Sequence, residues 1–329
     1  MAKAWALASR PQGMPVEANF ELIDLPHRAL ADGEVRVANR WLSVDPYMRG
    51  RMNDVKSYVP PYALGEPMQG GAVGEVIESR ADGIAAGDRV LHMEGWRDEA
   101  VVAAAALQKL PQLGVSDQAF LGQLGMPGMT AYFGLLAVAE AKAGDTVFVS
   151  AAAGAVGSTV VQIAKAKGMT VIGSAGGAEK GAWVTSLGAD AVVDYKAEKD
   201  LVRALGKAAP NGIDVYFDNV GGDHLDAALA VANERARFAL CGMIDIYNDT
   251  RPTGLRYLAR AIGARIRMQG FIVIDFFPRM DEFYRDMAGL LQAGKLDARE
   301  TIHDGLEAMP RAFLDLFSGG NTGKMLIRL

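Results

Sequence analysis

Residues 145–159 read Asp145-Thr-Val-Phe-Val-Ser150-Ala-Ala-Ala-Gly154-Ala-Val-Gly157-Ser158-Thr159, and this stretch decides the fold. The run 146–150 is short, apolar and rich in β-branched residues, as a buried strand is. Small residues follow as a turn. Across 156–167 apolar side chains recur at helical spacing, and Gly168 supplies a stop. Strand, small-residue turn and helix together open a dinucleotide-binding unit. The first N–H groups of such a helix have no partners inside it, and with the positive dipole end they favour a phosphate. The expected spacing is G-x-G-x-x-G, and here Ala152 stands in its first place, leaving Ala152-x-Gly154-x-x-Gly157. Taken alone, these residues are equally well explained by a tight strand–helix corner in any α/β protein, so the flanks decide.

Downstream, strand-like runs recur at 170–174, 191–194, 213–218, 237–241 and 267–274. Helical spacing lies between them, near 180–187, 198–207, 224–232 and 255–262. Six strands alternating with helices predict an α/β fold with a doubly wound parallel sheet. Upstream the character differs. Short alternating runs are punctuated by Pro11, Gly13, Pro26 and Gly33, and predict a β-rich region. A polar loop there carries Arg49, Arg51, Tyr58 and Tyr62. The tail adds a strand, a helix and a final strand. The expected division is 1–122 completed by 293–329, with 123–292 as the dinucleotide-binding domain.

Composition narrows the partners. Of 329 residues, half are hydrophobic and 22% are charged, with a net charge of −5 and no basic tail, which argues against nucleic acid. No apolar run is long enough to span a bilayer, and the first residues lack a signal peptide's apolar core. The single cysteine, Cys241, allows no intramolecular disulfide, points to the cytoplasm and rules out a zinc site of two thiolates. A buried structural thiol is its expected state.

In this fold a carboxylate about 20 residues past the glycine turn grips the ribose of NAD. Here the second strand ends in Gly173-Ser-Ala-Gly-Gly-Ala-Glu-Lys180, with no acid at its tip. Lys180 follows, and Tyr195 stands just after the third strand. A cation and a hydroxyl suit a 2′-phosphate, hence NADPH. The alternatives are a solvated Lys180 in a helical first turn and a ribose contact from Glu179.

With these segments in place, the chain resembles the medium-chain dehydrogenase/reductase superfamily, and within it the zinc-free leukotriene B4 dehydrogenase/prostaglandin reductase branch. That branch includes curcumin-reductase-like enzymes and 2-alkenal double-bond reductases. The resemblance rests on Ser43-Val-Asp-Pro-Tyr-Met-Arg-Gly-Arg-Met52, Gly125-Met-Pro-Gly-Met-Thr-Ala-Tyr-Phe-Gly134, Ser150-Ala-Ala-Ala-Gly-Ala-Val-Gly-Ser158, Tyr216-Phe-Asp-Asn-Val-Gly-Gly222 and Gly270-Phe-Ile-Val273. It implies a GroES-like β-rich domain beside a Rossmann domain, with nicotinamide and substrate held in a cleft between the two. It places Ala155, Val156, Gly157 and Ser158 at the pyrophosphate, and Lys180 with Tyr195 at the 2′-phosphate. Asn219, Cys241, Gly242, Met243, Tyr247, Phe271, Ile272, Val273 and Asn321 would line the rest of the cofactor site.

Zinc-dependent relatives carry cysteine and histidine ligands near 44, 64–66 and 125–126, and this sequence has none there. His27, His92, His224 and His303 lie scattered without ligand spacing, so no metal site is expected. Alcohol oxidation needs a Lewis acid or a base to take the hydroxyl proton. Hydride addition to an electron-poor C=C needs only stabilisation of the enolate and a proton for the α-carbon. Tyr247, in the loop after the fifth strand, is the candidate for orienting the carbonyl. A phenol, with a reference pKa of about 10, donates a hydrogen bond at neutral pH. The alternative is that Tyr247 only packs on the cofactor. Tyr47 and Tyr58 are candidate walls for a flat conjugated substrate, and Asp45 beside Pro46 reads as a turn or cap.

The reading is therefore an NADPH-dependent enone or enal reductase. Its rivals are a quinone reductase of the same superfamily and a catalytically silent NADPH-binding sensor. A homodimer is expected from the resemblance, with the run 265–274 extending the sheet.

Overall fold

The alternating runs at the head of the chain pair as strands. β1 (Ala2–Leu7) lies antiparallel to β2 (Phe20–Leu25), with Ala4 opposite Ile23. Next come β3 (Glu34–Ser43), a single helical turn α1 (Met48–Arg51), β4 (Ala72–Ser79), β5 (Arg89–His92), β6 (Glu99–Ala103) and β7 (Gln108–Lys109). The computed structural model describes residues 1–249 and 254–329, which divide into two units, 1–121 with 300–329, and 122–299.

The second unit begins with α2 (Met126–Phe133). It continues through β8 (Thr146–Val149), α3 (Ala155–Ala166), β9 (Thr170–Ala175), α4 (Ala178–Ser186), β10 (Ala191–Asp194), α5 (Leu201–Ala208), β11 (Ile213–Asp218), α6 (Gly222–Val231), β12 (Ala232–Leu240), α7 (Arg260–Gly263), β13 (Arg267–Gly270) and α8 (Met280–Gln292). Its six strands run in the order β10-β9-β8-β11-β12-β13, all parallel. The order reverses at β8, so the carboxyl ends of β8 and β11 mark the place where such sheets bind ligands. Phe148 on β8 and Tyr216 on β11 are fully buried and stack with ring centroids 5.1 Å apart, fixing the two strands in register.

Three spans differ from the sequence expectation. The fifth strand, expected over 237–241, already begins at Ala232. The sixth strand ends at Gly270 rather than running to 274. Phe271 leaves the sheet and meets Phe217 and Phe276 edge-on at 6.2 and 6.5 Å. The helix expected over 255–262 forms only at Arg260–Gly263. Ahead of it, Asp226 of α6 accepts the Arg256 guanidinium at 2.6 Å and the Tyr257 N–H at 2.9 Å. Residues 293–299 group with the second unit, where Gln162 of α3 donates to the Asp297 carbonyl and accepts its N–H.

The tail returns to the first unit as β14 (Glu300–Asp304), α9 (Met309–Ser318) and β15 (Lys324–Arg328). β15 pairs with β3, and the path β14-β15-β3-β4-β5-β7 with β6 on β3 makes the GroES-like sheet. α9 starts with Pro310 in its first turn and stops at Gly319, whose φ of 72° is the left-handed conformation glycine adopts without strain. Its Phe313 packs edge-on to Trp96 at 5.8 Å, and Trp96 stacks on Phe20 at 5.6 Å. These aromatics form the core of the unit.

Each unit buries one histidine as a neutral ring. His92 accepts the Glu94 N–H on Nδ1 at 3.1 Å, which leaves Nε2 to donate to Asn39 at 2.9 Å. His224 shares a 2.8 Å bond with the buried Ser174 hydroxyl. Burial holds both imidazoles down at about 4. In the unfolded chain an imidazole takes its proton near 6.5. The folded value is the lower one, so between about 6.5 and 4 the unfolded chain binds more protons. Stability present above that window is therefore lost as pH falls through it. Each ring contributes up to about 3 kcal/mol. Tm followed by circular dichroism from pH 7 to 4.5 is expected to fall steeply below pH 6, and the slope to flatten in His92→Gln/His224→Gln. An equal slope in that variant would contradict the assignment.

Candidate functional site

The turn after β8 is built for close approach. Ala151 takes a left-handed φ of 47°, and Ala152 donates to the Ser174 carbonyl of β9 at 2.8 Å. A Cβ on Gly157 would strike the Ala151 carbonyl, so only glycine lets α3 start this near the turn. Gly154 is the N-cap with no side-chain cap bond, and no acid sits in the first turn of α3. The amides of Ala155, Val156 and Gly157 are the first-turn donors that a helix leaves without intrahelical partners. Ser158 differs, because its N–H is spent on Gly154 O at 2.9 Å and its hydroxyl leans on Ala155 O at 3.5 Å. An anion set against this uncapped terminus meets backbone donors and the positive dipole end.

At the tip of β9 no carboxylate side chain projects from the strand. Lys180 sits in the first turn of α4, and Tyr195 follows β10 directly. Burial and then the charge of Lys196 hold the Lys180 ammonium below its ordinary value. Tyr195 leans edge-on against His224 at 5.2 Å. The nearby Asp194 carboxylate accepts the N–H of Gly177 and of Lys196, each at 3.0 Å.

The end of β11 is organised by Asp218, which is fully buried. Its Oδ1 accepts Tyr216 OH at 2.7 Å and the N–H groups of Val220 and Gly221 at 2.9 and 2.8 Å. Burial raises this carboxyl above its ordinary value, while those donors pull it back. Its backbone carbonyl accepts Cys241 N–H at 2.9 Å and Gly242 N–H at 3.0 Å. Asn219 is tied to the first turn, donating its amide to Ser150 O at 2.8 Å and its N–H to Ser150 Oγ at 2.9 Å. The carboxyl ends of β8, β11 and β12 thus form one hydrogen-bonded rim.

Tyr247 closes the 3₁₀ turn Ile244–Ile246 on that rim. Its hydroxyl accepts the Met243 N–H at 3.2 Å and lies 3.0 Å from where a Gly242 Cβ would be. Phe271 and Phe217 close around Gly134, where any side chain would overlap both rings. Ile272 is half-buried and Val273 buried just beyond. The structure thus brings Ala155, Val156, Gly157, Asn219, Cys241, Gly242, Met243 and Tyr247 to one end of the sheet, with Lys180 and Tyr195 on its β9–β10 side. The uncapped terminus, the obligatory glycine and the cation-lined strand tip fit a phosphorylated dinucleotide. Cys241, expected to be buried, is half-buried; desolvation pushes its thiol up to about 12, away from the reactive thiolate.

Asn321 belongs to the first unit, where its amide donates to Gly323 O at 2.8 Å. Tyr47 lies there too, and its buried hydroxyl has no hydrogen-bond partner among the described residues. Burial, reinforced by Asp45, raises that phenol well above its ordinary value. Tyr58 is 53% exposed in the loop that follows α1. Tyr62 is buried, with the Arg51 guanidinium 4.1 Å above its ring and its hydroxyl donating to Gln69 O at 2.6 Å. The Asp45 side chain is neither a cap nor a turn group. It accepts the Ser43 hydroxyl and pairs with the buried Lys324 ammonium at 3.0 Å. Sequence reading missed Asp218, Lys196 and Lys324. For Lys196 the signal was present, a Tyr-Lys pair directly after the third strand.

Among the described residues no group of three or more His, Cys, Asp or Glu side chains could hold a metal ion. None of their helices is long and apolar enough to cross a membrane.

Two family descriptions match the chain, "N-terminal domain of oxidoreductase" over residues 3–110 and "Zinc-binding dehydrogenase" over residues 155–292. The chain is 44% identical to the NADPH-dependent curcumin reductase of Escherichia coli, covering 99% of this chain and 96% of that protein. It is 41% identical to the NADP(+)-dependent 2-alkenal reductase of Nicotiana tabacum, over 96% of this chain and 94% of that one. The crystal structure of CurA from Vibrio vulnificus in complex with NADPH superimposes with a TM-score of 0.93 at 43% identity, covering 99% and 98% of the two chains.

Proposed function

This chain belongs to the zinc-free medium-chain dehydrogenase/reductases of the curcumin and alkenal reductase branch, and from that premise we propose that it reduces the C=C bond of α,β-unsaturated ketones and aldehydes with NADPH. What carries the reading is that relatives alike over nearly the whole chain are named as an NADPH-dependent curcumin reductase and an NADP(+)-dependent 2-alkenal reductase. The site's own geometry supports it.

When bound, NADPH supplies the hydride that reaches the β-carbon. The amides of Ala155, Val156 and Gly157 hold the pyrophosphate, and Lys180 with Tyr195 hold the 2′-phosphate. Asn219, Cys241, Gly242, Met243, Phe271, Ile272, Val273 and Asn321 are the remaining cofactor residues. Tyr247 donates to the carbonyl oxygen and stabilises the enolate as negative charge gathers there, and the enolate then takes a proton at its α-carbon from water or the cofactor's ribose hydroxyl. Accepting the Met243 N–H uses a lone pair of the phenol and fixes its direction. Tyr47 and Tyr58 are the substrate contacts of the first unit. A buried hydroxyl without a partner costs free energy until a ligand atom meets it, and Tyr47 offers one. We place the protein in the cytoplasm, as a homodimer.

NADPH consumption measured against alkenals, alkyl and aryl enones and quinones tests the reading. Products saturated at the C=C are expected. Hydroquinone as the sole product, or tight NADPH binding without turnover on any of them, would overturn it.

A further inference from the structure

We propose that Lys196 is a second cation for the cofactor's 2′-phosphate, closing on it from the β10 side while Lys180 closes from α4. The proposal rests on the NADPH reading above and adds a specificity residue to it.

Three observations carry it. First, Gly176 sits just past β9 with both neighbouring side chains laid over it. A Cβ at 176 would lie 2.8 Å from the Tyr195 hydroxyl and 2.9 Å from Lys196 Cε. The ammonium of Lys196 is therefore carried by a stem that crosses the strand tip, where NAD-dependent relatives of this fold present a carboxylate to the ribose.

Second, the backbone that delivers Lys196 is pinned. Its N–H and that of Gly177 both donate to Asp194 Oδ1, each at 3.0 Å. The Asp194 carbonyl accepts Ala197 and Glu198 N–H at 3.1 and 3.0 Å. One carboxylate thus staples the turn before α4 to the turn after β10, and holds Lys196 opposite Gly176. Tyr195 is steadied by His224, whose ring is bonded to Ser174.

Third, Lys180 and Lys196 are close enough for the charge of one to depress the other. Two like charges held near a strand tip disfavour each other until an anion arrives. A phosphate monoester carries about −1.5 to −2 at pH 7, enough to engage both. The second lysine adds to the selectivity that Lys180 and Tyr195 supply for the doubly charged group over a ribose hydroxyl.

Isothermal titration calorimetry of the full chain with 2′,5′-ADP and with 5′-AMP separates these terms. The wild type is expected to bind 2′,5′-ADP at least about tenfold more tightly than 5′-AMP. Lys196→Ala should weaken 2′,5′-ADP by roughly five- to twentyfold and leave 5′-AMP unchanged. Lys196→Arg should restore 2′,5′-ADP to within about twofold, because the charge is kept. Loss of 2′,5′-ADP affinity in Lys180→Ala but not in Lys196→Ala would overturn the inference and leave the NADPH reading standing, with Lys196 a solvated surface residue. Equal affinity of the wild type for both nucleotides would remove the NADPH reading itself, and Lys196 with it. Lys196 is exposed, so the Lys196 variants are expected to fold.

Discussion

Replacing Tyr247 with phenylalanine is expected to cut kcat on enones by roughly 10²–10³-fold, the size seen when one preorganised donor to a developing oxyanion is removed. The phenol acts where charge gathers, so the loss falls on kcat and kcat/KM together rather than on KM alone. Tyr247→Phe also removes the acceptor for the Met243 N–H, a bond within one turn of the chain. That second effect is separable. Loosening the 242–247 loop raises the KM for NADPH, whereas loss of the donor lowers the rate at saturating NADPH and enone. Steady-state kinetics with both substrates varied distinguishes the two. A variant with full kcat on every enone would leave Tyr247 a packing residue.

The largest stability effect is expected at Lys324. Its ammonium is buried and bonded to the Val44 carbonyl at 2.8 Å, the Met325 carbonyl at 3.0 Å and Asp45 at 3.0 Å. Burial holds it below the ordinary lysine value, and Asp45 opposes that. Lys324→Met strands the buried Asp45 carboxylate in the interior, with the Ser43 hydroxyl as its remaining side-chain donor among the described residues. Breaking a buried pair from one side costs about 3–5 kcal/mol. Across a unit of this size that lowers Tm by roughly 10 °C. Asp45→Asn/Lys324→Met removes both charges and is expected to recover most of the loss, because a neutral pair no longer carries the desolvation penalty. Thermal unfolding by calorimetry reads both values. If the single and double variants melt together, the pair contributes nothing to stability.

The parallel sheet was legible because its signals are local. β10 and β11 begin and end where their apolar runs do, and the glycine turn after β8 is written within a few residues. What was not legible depends on partners far along the chain. Phe271 leaves the sixth strand for Phe217, and the span ahead of α7 is held by Asp226. Asp45 and Lys324 stand 279 positions apart, so neither residue announces the other. At the site, Lys180, Tyr195 and Tyr247 could be named from position in the fold and from resemblance. Asp218 could not be assigned a task, since its role shows only when the turn after β11 folds three local donors back onto one oxygen and β8 brings the Ser150 hydroxyl to the same atom. Tyr47 was chosen for its ring, whereas its unpartnered hydroxyl is what the fold makes distinctive.

The state of Cys241 bears on survival in use. Enals and enones are Michael acceptors, and they alkylate thiolates far faster than thiols. A reductase of such compounds works in continuous contact with a covalent poison for exposed cysteines. This chain has one cysteine, half-buried, and desolvation pushes its thiol well above the ordinary value. The protein therefore meets electrophilic substrates with a single sulfur, held toward its less reactive protonated form.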